Sequence, residues 1–290
     1  MRDYVIFTDS SADLTAEMVQ ELGVEVLPLT VLMGDKPYLN YPDNREIDPK
    51  DFYDQMRGGA MPTTSALNVG QVTDAVEPIL QSGKDVLFLA FSSGLSVTYN
   101  SVRLAAEELS EKYPESKFLV VDTLCASLGQ GLLVYHAVAQ KKAGKSIEEV
   151  RDWAETNKFN LCHWFTVNDL MHLKRGGRVS AAPALAGTML SIKPVMHMDN
   201  EGHLIKVSTA RGRKASLVAL VDQMEKTVID PANQVVFISH GDCLEDAQFV
   251  ADEIKKRFGT HQFRFNYVGP VIGAHTGAGV VALFFLGKER

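Results

Sequence analysis

The chain has 290 residues, 46% hydrophobic and 22% charged, which suits one large or two medium α/β domains and excludes a disordered chain. A net charge of −7 excludes wholesale binding to a nucleic-acid backbone, which calls for a basic face. Cys125, Cys162 and Cys243 are odd in number and widely spaced, so neither a disulfide framework nor a zinc knuckle is indicated.

Met1-Arg2-Asp3 leads, without an apolar signal region, into a first strand at residues 4–7. The longest apolar run, 280–286, is too short to cross a bilayer, so the expectation is a cytoplasmic protein with no integral membrane segment. Thr8-Asp9-Ser10-Ser11 follows the first strand. Thr15 then caps a helix to residue 22 that Gly23 ends, and residues 25–29 make the next strand. Asp48-Pro49 places an N-cap before a proline at the first helical position, opening a helix to about residue 56 that Gly58-Gly59 stops. Met61-Pro62-Thr63-Thr64-Ser65 is expected as a loop between two helices; its hydroxyls suit a carboxylate or phosphate, and equally a plain surface loop.

Asn68 caps a helix to about residue 80, and the buried strand 85–90 follows. That strand runs into Phe91-Ser92-Ser93-Gly94-Leu95-Ser96-Val97-Thr98-Tyr99-Asn100 and then into a helix over 101–112. Such a turn points backbone N–H groups and short hydroxyls outward at a helix start, a ready site for an anionic head group. The plainer alternative is that the serines only cap the helix. A third strand, 118–121, ends in Asp122-Thr123, and a helix spans about 129–143. Three strands thus end in Asp, Ser or Thr, and in an open α/β sheet ligands sit outside the carboxyl ends of the strands.

A helix from Ser146 to about residue 158 closes this half. Strand-like segments at 161–167, 192–198 and 203–207 follow, with Asn200-Glu201-Gly202 signalling a hairpin. A helix over 213–229, a strand at 235–239, a helix over 242–258 and strands near 263 and 280 complete the chain. The pattern predicts a two-lobed α/β protein. Residues 1–160 form a mostly parallel sheet with helices on both faces, and residues 161–290 a second α/β lobe with a mixed or antiparallel sheet.

Two further segments carry chemistry. In Lys174-Arg175-Gly176-Gly177-Arg178 the double glycine permits unusual backbone, and Arg178 beyond it is placed to reach the crevice with a guanidinium suited to carboxylate or phosphate. A solvated basic loop or a protein-contact patch is the alternative for Lys174 and Arg175. Gly269 to Gly279 packs glycines around His275, expected in a loop as a hydrogen-bond donor to an acidic ligand or as a general base. His136, His163, His172, His197, His203, His240 and His261 show no metal-ligand spacing, and no Walker loop is present, so neither a metal nor a nucleotide is expected.

Taken in order, Thr8 to Leu14, Thr64-Ser65, Ser92 to Ser96 with Thr98 to Ser101, Asp122-Thr123 with Ser127, Leu173 to Ser180, Lys193-Pro194, and Gly269 to Gly273 with His275 resemble the DegV family of fatty-acid-binding proteins. The likeness spans nearly the full chain; Val97 stands where a glycine is usual and Ala278 where a proline is usual. The resemblance implies a non-catalytic carrier holding one long-chain fatty acid between two lobes, with no cofactor. It also implies a partner, the ATP-binding subunit of a bacterial fatty acid kinase, which phosphorylates the carboxylate for phospholipid synthesis, and transient membrane contact. By match of motif, Thr64 and Ser93 hold the carboxylate with Arg178 and His275 close by, supported by Asp9, Ser10, Ser65, Ser92, Ser96 and Ser127. The physics suits a carrier: at about 0.8 kcal/mol per methylene, a tail of ~16 carbons offers on the order of 11 kcal/mol gross.

Two readings of another class stand beside it. A serine hydrolase would use Ser93 as nucleophile, His275 as base and Asp9 to orient it, although Phe91-Ser92-Ser93 lacks the glycine of a nucleophile elbow. A small-anion or sugar-phosphate module would use the same hydroxyl loops.

Overall fold

The computed structural model describes residues 2–179 and 191–290. Ser180, the last residue of the basic motif, lies outside the described residues. The first half contains β1 (Tyr4–Asp9), α1 (Ala16–Leu22), β2 (Glu25–Leu27), β3 (Thr30–Met33), β4 (Lys36–Leu39), α2 (Pro49–Arg57) and β5 (Thr63–Ser65). It continues through α3 (Val69–Gln81), β6 (Asp85–Ala90), α4 (Thr98–Lys112), β7 (Phe118–Asp122), α5 (Ser127–Lys142) and α6 (Ile147–Asn157). Helix starts follow local chemistry. Thr15 accepts from Met18 N, Asp48 accepts from Lys50 N and Asp51 N ahead of Pro49, and Asn68/Gln71 and Ser146/Glu149 form capping boxes.

β2, β1, β6 and β7 form a parallel sheet in that order. β6 is central and covered on both faces, which is why its apolar run is buried throughout. The second half contains β8 (Leu161–Thr166), α7 (Met171–Arg175), β9 (Ile192–Met198), β10 (Leu204–Arg211) and α8 (Arg213–Thr227). β11 (Val235–His240), α9 (Leu244–Phe258), β12 (Gln262–Tyr267), α10 (Pro270–Thr276) and β13 (Val281–Leu286) follow. Its sheet runs β10-β9-β8-β13-β11-β12, antiparallel except for the β11–β12 pair. The fold is mixed α/β as the strand and helix pattern indicated.

α5 lies between the two sheets and is buried from Ser127 to Val134. One apolar cluster runs through it from Leu87 and Leu89 of the parallel sheet to Phe165, Phe237 and Phe284 of the mixed sheet. A second packs the other face of the parallel sheet under α2, α3 and α4, and a third fills the space under α8 and α9. Among the described residues no helix is long and apolar enough to cross a membrane.

Three local expectations are corrected. Residues 61–65 are not simply a loop, because Thr63–Ser65 pairs antiparallel with β3 in a small sheet β4-β3-β5. Such a short run of hydroxyl residues shows no apolar alternation, so its pairing is invisible until β3 is placed beside it. The glycine-rich segment around His275 folds as α10, with Pro270 at its first position, and the basic segment contains the short helix α7.

Candidate functional site

A cavity of about 520 Å³ opens where the loops after β6 and β7 meet α10 and the mixed sheet. Both halves line it: Leu29, Phe91 and Leu95 from the first, Phe165, Met198 and Phe284 from the second. Most of the wall is apolar, as in pockets that bury a largely hydrocarbon ligand.

Thr64, Ser65, Ser93, Ser96, Ser127, Arg178 and His275 also face this cavity. β5 and α10 bring Thr64 Oγ1 to 2.9 Å from His275 Nε2 across 211 residues of sequence. Arg178 Nε donates to Leu95 O at 3.2 Å, and its Nη1 bonds Gly176 O, so the guanidinium is held beside the hydroxyl turn. Ser93 is exposed, and Asp122 fixes its backbone by accepting from Ser93 N at 3.1 Å. Among the described residues no hydrogen bond engages the Ser93 hydroxyl. Ser96 Oγ accepts from Thr98 N at 3.2 Å and caps the start of α4, while Val97 is 68% exposed at the cavity rim. Its extra bulk relative to glycine therefore meets solvent and ligand space.

Asp9, Ser10 and Ser92 do not line the cavity. Asp9 is buried and accepts from Phe91 N at 2.9 Å, from Ser11 N at 3.1 Å and from Gln130 Nε2 at 3.3 Å; burial pushes its carboxyl above the usual range. Ser10 Oγ accepts from Leu29 N at 2.9 Å, and Ser92 Oγ donates to Gly202 O at 2.9 Å. These groups set the positions of loops rather than meet a ligand. No hydrogen bond links Asp9 to His275 or His275 to Ser93 among the described residues, so the geometry lacks a relay for a hydrolase.

His275 is half-buried at the cavity wall, and burial together with Arg178 and Arg175 pushes its imidazole down to about 4. The ring is therefore neutral at physiological pH. Ser127 sits deeper, with Oγ 2.5 Å from Asp13 Oδ2 and 3.0 Å from Ser239 Oγ. Burial pushes Asp13 up to about 8, so this acid keeps its proton at neutral pH.

His163 lines the cavity as well, with Nδ1 bonded to Leu161 O at 3.0 Å and its ring edge-on to Phe284. Burial holds it well below the ordinary imidazole range. Sequence spacing gave no hint of this, because His163 lies in an all-buried strand whose polar member is invisible to periodicity. Asp13 and Gln130 carry no separate signal in the sequence either, whereas Asp122 is legible as a polar strand end; each acts through backbone or hydroxyl contacts set by the fold. Among the described residues no group of His, Cys, Asp or Glu side chains is placed to hold a metal.

A family model described as "Uncharacterised protein, DegV family" matches residues 3–288. A DegV domain-containing protein of Clostridium perfringens is 47% identical over 290 residues, covering 100% of this chain and 99% of the relative. One from Streptococcus pyogenes is 34% identical, covering 99% of both. Three solved structures share the fold. A DegV lipid-binding protein from Thermotoga maritima has a TM-score of 0.86 and 27% identity, covering 99% of both chains. A fatty-acid-binding DegV family protein from Thermus thermophilus has a TM-score of 0.85 and 29% identity, covering 99% of this chain and 100% of that one. DegV of Bacillus subtilis, a fatty acid binding protein, has a TM-score of 0.85 and 27% identity over the same shares. With the family model matching nearly end to end, this chain belongs to the DegV family.

Proposed function

We propose that this protein binds one long-chain fatty acid between an N-terminal lobe, residues 1–160, and a C-terminal lobe, residues 161–290. The observation that carries this reading is the cavity itself: a mostly apolar wall with Thr64, Ser93, His275 and Arg178 on its lining. The named ligand classes of the Thermotoga, Thermus and Bacillus proteins support it. The tail supplies affinity by burial, and the carboxylate is held by the hydroxyls of Thr64 and Ser93 with Arg178 as the nearby cation. Ser65, Ser96 and Ser127 border the ligand, whereas Asp9, Ser10 and Ser92 support the loops that carry it.

The protein is a carrier and not a hydrolase. A separate ATP-dependent kinase subunit phosphorylates the presented carboxylate, and the acyl phosphate feeds phospholipid synthesis in the cytoplasm, with transient membrane contact for loading. Neutral hydroxyl donors and one guanidinium suit a carboxylate that must stay reactive. Denaturing extraction of the purified protein followed by mass spectrometry tests the reading. About one equivalent of long-chain fatty acid is expected; an empty protein that also fails to bind added oleate would overturn it. Adding a purified fatty acid kinase subunit with ATP tests the second part, with acyl phosphate expected only when both proteins are present.

A further inference from the structure

The two glycines before Arg178 serve different purposes. Gly177 has φ +70, a conformation that other residues resist, but Gly176 has an ordinary φ of −71. What Gly176 provides is space: a β-carbon there would lie 2.3 Å from His275 Nδ1. The α-hydrogen of glycine occupies that direction instead. His275 Nδ1 is buried and meets no hydrogen-bonding partner among the described residues. A hydrogen on Nδ1 would be driven against that C–H and would have no acceptor, while a bare lone pair sits there without conflict. The other nitrogen, Nε2, lies 2.9 Å from Thr64 Oγ1.

We infer that Gly176 holds His275 in the tautomer carrying its hydrogen on Nε2, so that the ring donates to Thr64 Oγ1 and the Thr64 hydroxyl hydrogen is free to point into the cavity. A neutral imidazole has one donor and one acceptor nitrogen, so fixing Nδ1 fixes both. Burial and the nearby arginines keep the ring neutral. In the opposite tautomer Nε2 would accept the Thr64 hydrogen, and the hydroxyl would show only lone pairs to the ligand, repelling a carboxylate. A backbone C–H thus decides that Thr64 is a donor toward the head group, making the site selective for an acceptor. A second contact fixes the register of the same pair of helices. The His172 ring of α7 seats on Gly277, where a β-carbon would lie 2.5 Å from its Cδ2, and its Nδ1 is 2.9 Å from Arg175 Nη2. Gly176 is a positioning residue acting through His275. The carboxylate assignment rests on the fatty-acid reading above; the tautomer does not.

Long-range 1H–15N correlation spectra of lipid-free protein labelled with 15N-histidine, at pH 7, read the tautomer directly, with His275→Gln assigning the signals. The expected pattern has a bare Nδ1 and a hydrogen on Nε2; an Nδ1–H or imidazolium pattern overturns the inference. In Gly176→Ala the displaced ring is expected to lose that pattern, with oleate binding weakened roughly tenfold; an unchanged His275 spectrum in a folded variant overturns the role of Gly176. The spectrum of the unaltered protein decides the tautomer even if the variant does not fold. The Nε2–H pattern in a protein that binds no oleate upholds the tautomer and overturns the fatty-acid reading. The Nδ1–H pattern in a protein that binds oleate overturns the tautomer alone.

Discussion

Two hydroxyl-rich loops leave adjacent strands of the parallel sheet, and only one of them faces the cavity. At the end of β1 and just beyond it, Thr8, Asp9, Ser10 and Ser11 are all buried and bonded within the fold: Thr8 Oγ1 to Leu89 O at 2.8 Å, Gln130 Nε2 to Thr8 Oγ1 at 2.9 Å, and Asp9 to Phe91 N. After β6, Ser92 is bonded in the same way and Ser96 Oγ is taken up by Thr98, but the Ser93 hydroxyl lines the cavity with no bond among the described residues. The residue types are the same. What separates a structural hydroxyl from a ligand hydroxyl is whether the fold already uses its hydrogen-bonding capacity.

The largest effect that tests this contrast belongs to Asp13, at the end of the β1 loop. Its carboxyl is held at about 8 in the folded protein and lies near the ordinary carboxylate range when unfolded. Between roughly pH 4 and pH 8 the unfolded chain has released that proton while the folded chain keeps it, so stability falls as pH rises through this window. Relative to Asp13→Asn, the loss is expected to reach on the order of 5 kcal/mol, read from urea unfolding across a pH series; parallel curves for the two proteins would remove the fold-serving role given to this acid.

Asp9→Ala comes next. It strands the Phe91 and Ser11 amides and removes one contact of Gln130 Nε2, which keeps its bond to Thr8 Oγ1, and should lower unfolding free energy by about 3–5 kcal/mol in urea denaturation. A smaller third effect is set by the hairpin turn after β9. Gly94→Ala would put a β-carbon 2.6 Å from Gly202 O, and the shift it forces should cost about 1–3 kcal/mol. Thermal unfolding would show this, and an unchanged melting temperature would mean that the turn does not hold the Ser93 loop.

Ser93→Ala should be the smallest in stability, within about 0.5 kcal/mol, yet it should weaken fatty-acid binding about fivefold through loss of one donor. Equal stability losses for Ser93→Ala and Asp9→Ala would erase the distinction between the two loops.

Much of this was legible from the chain. Asp85–Ala90 is all apolar after its first residue, and the capping residues Thr15, Asp48, Asn68 and Ser146 stand where their helices begin, because strand burial and helix caps depend on neighbours in sequence. The alternation of strands and helices carried the α/β class, and the order of the motifs carried the family. His275 was recognisable as unusual among glycines, but its place on a helix was not, since a segment this short and rich in glycine has a weak helical signal.

The sequence alone therefore determined the fold class, the family and most of the local elements, which follow from periodicity, turn chemistry and motif order, though not β5, α7 and α10. Tertiary structure decided which polar groups face the cavity. Thr64 meets His275 only because β5 pairs with β3 and α10 packs beside that small sheet, and Gly176 matters only because α7 lays its backbone on the imidazole. Those contacts join residues far apart in the chain, and a hydroxyl carries no mark in the sequence of whether a buried neighbour has already claimed it.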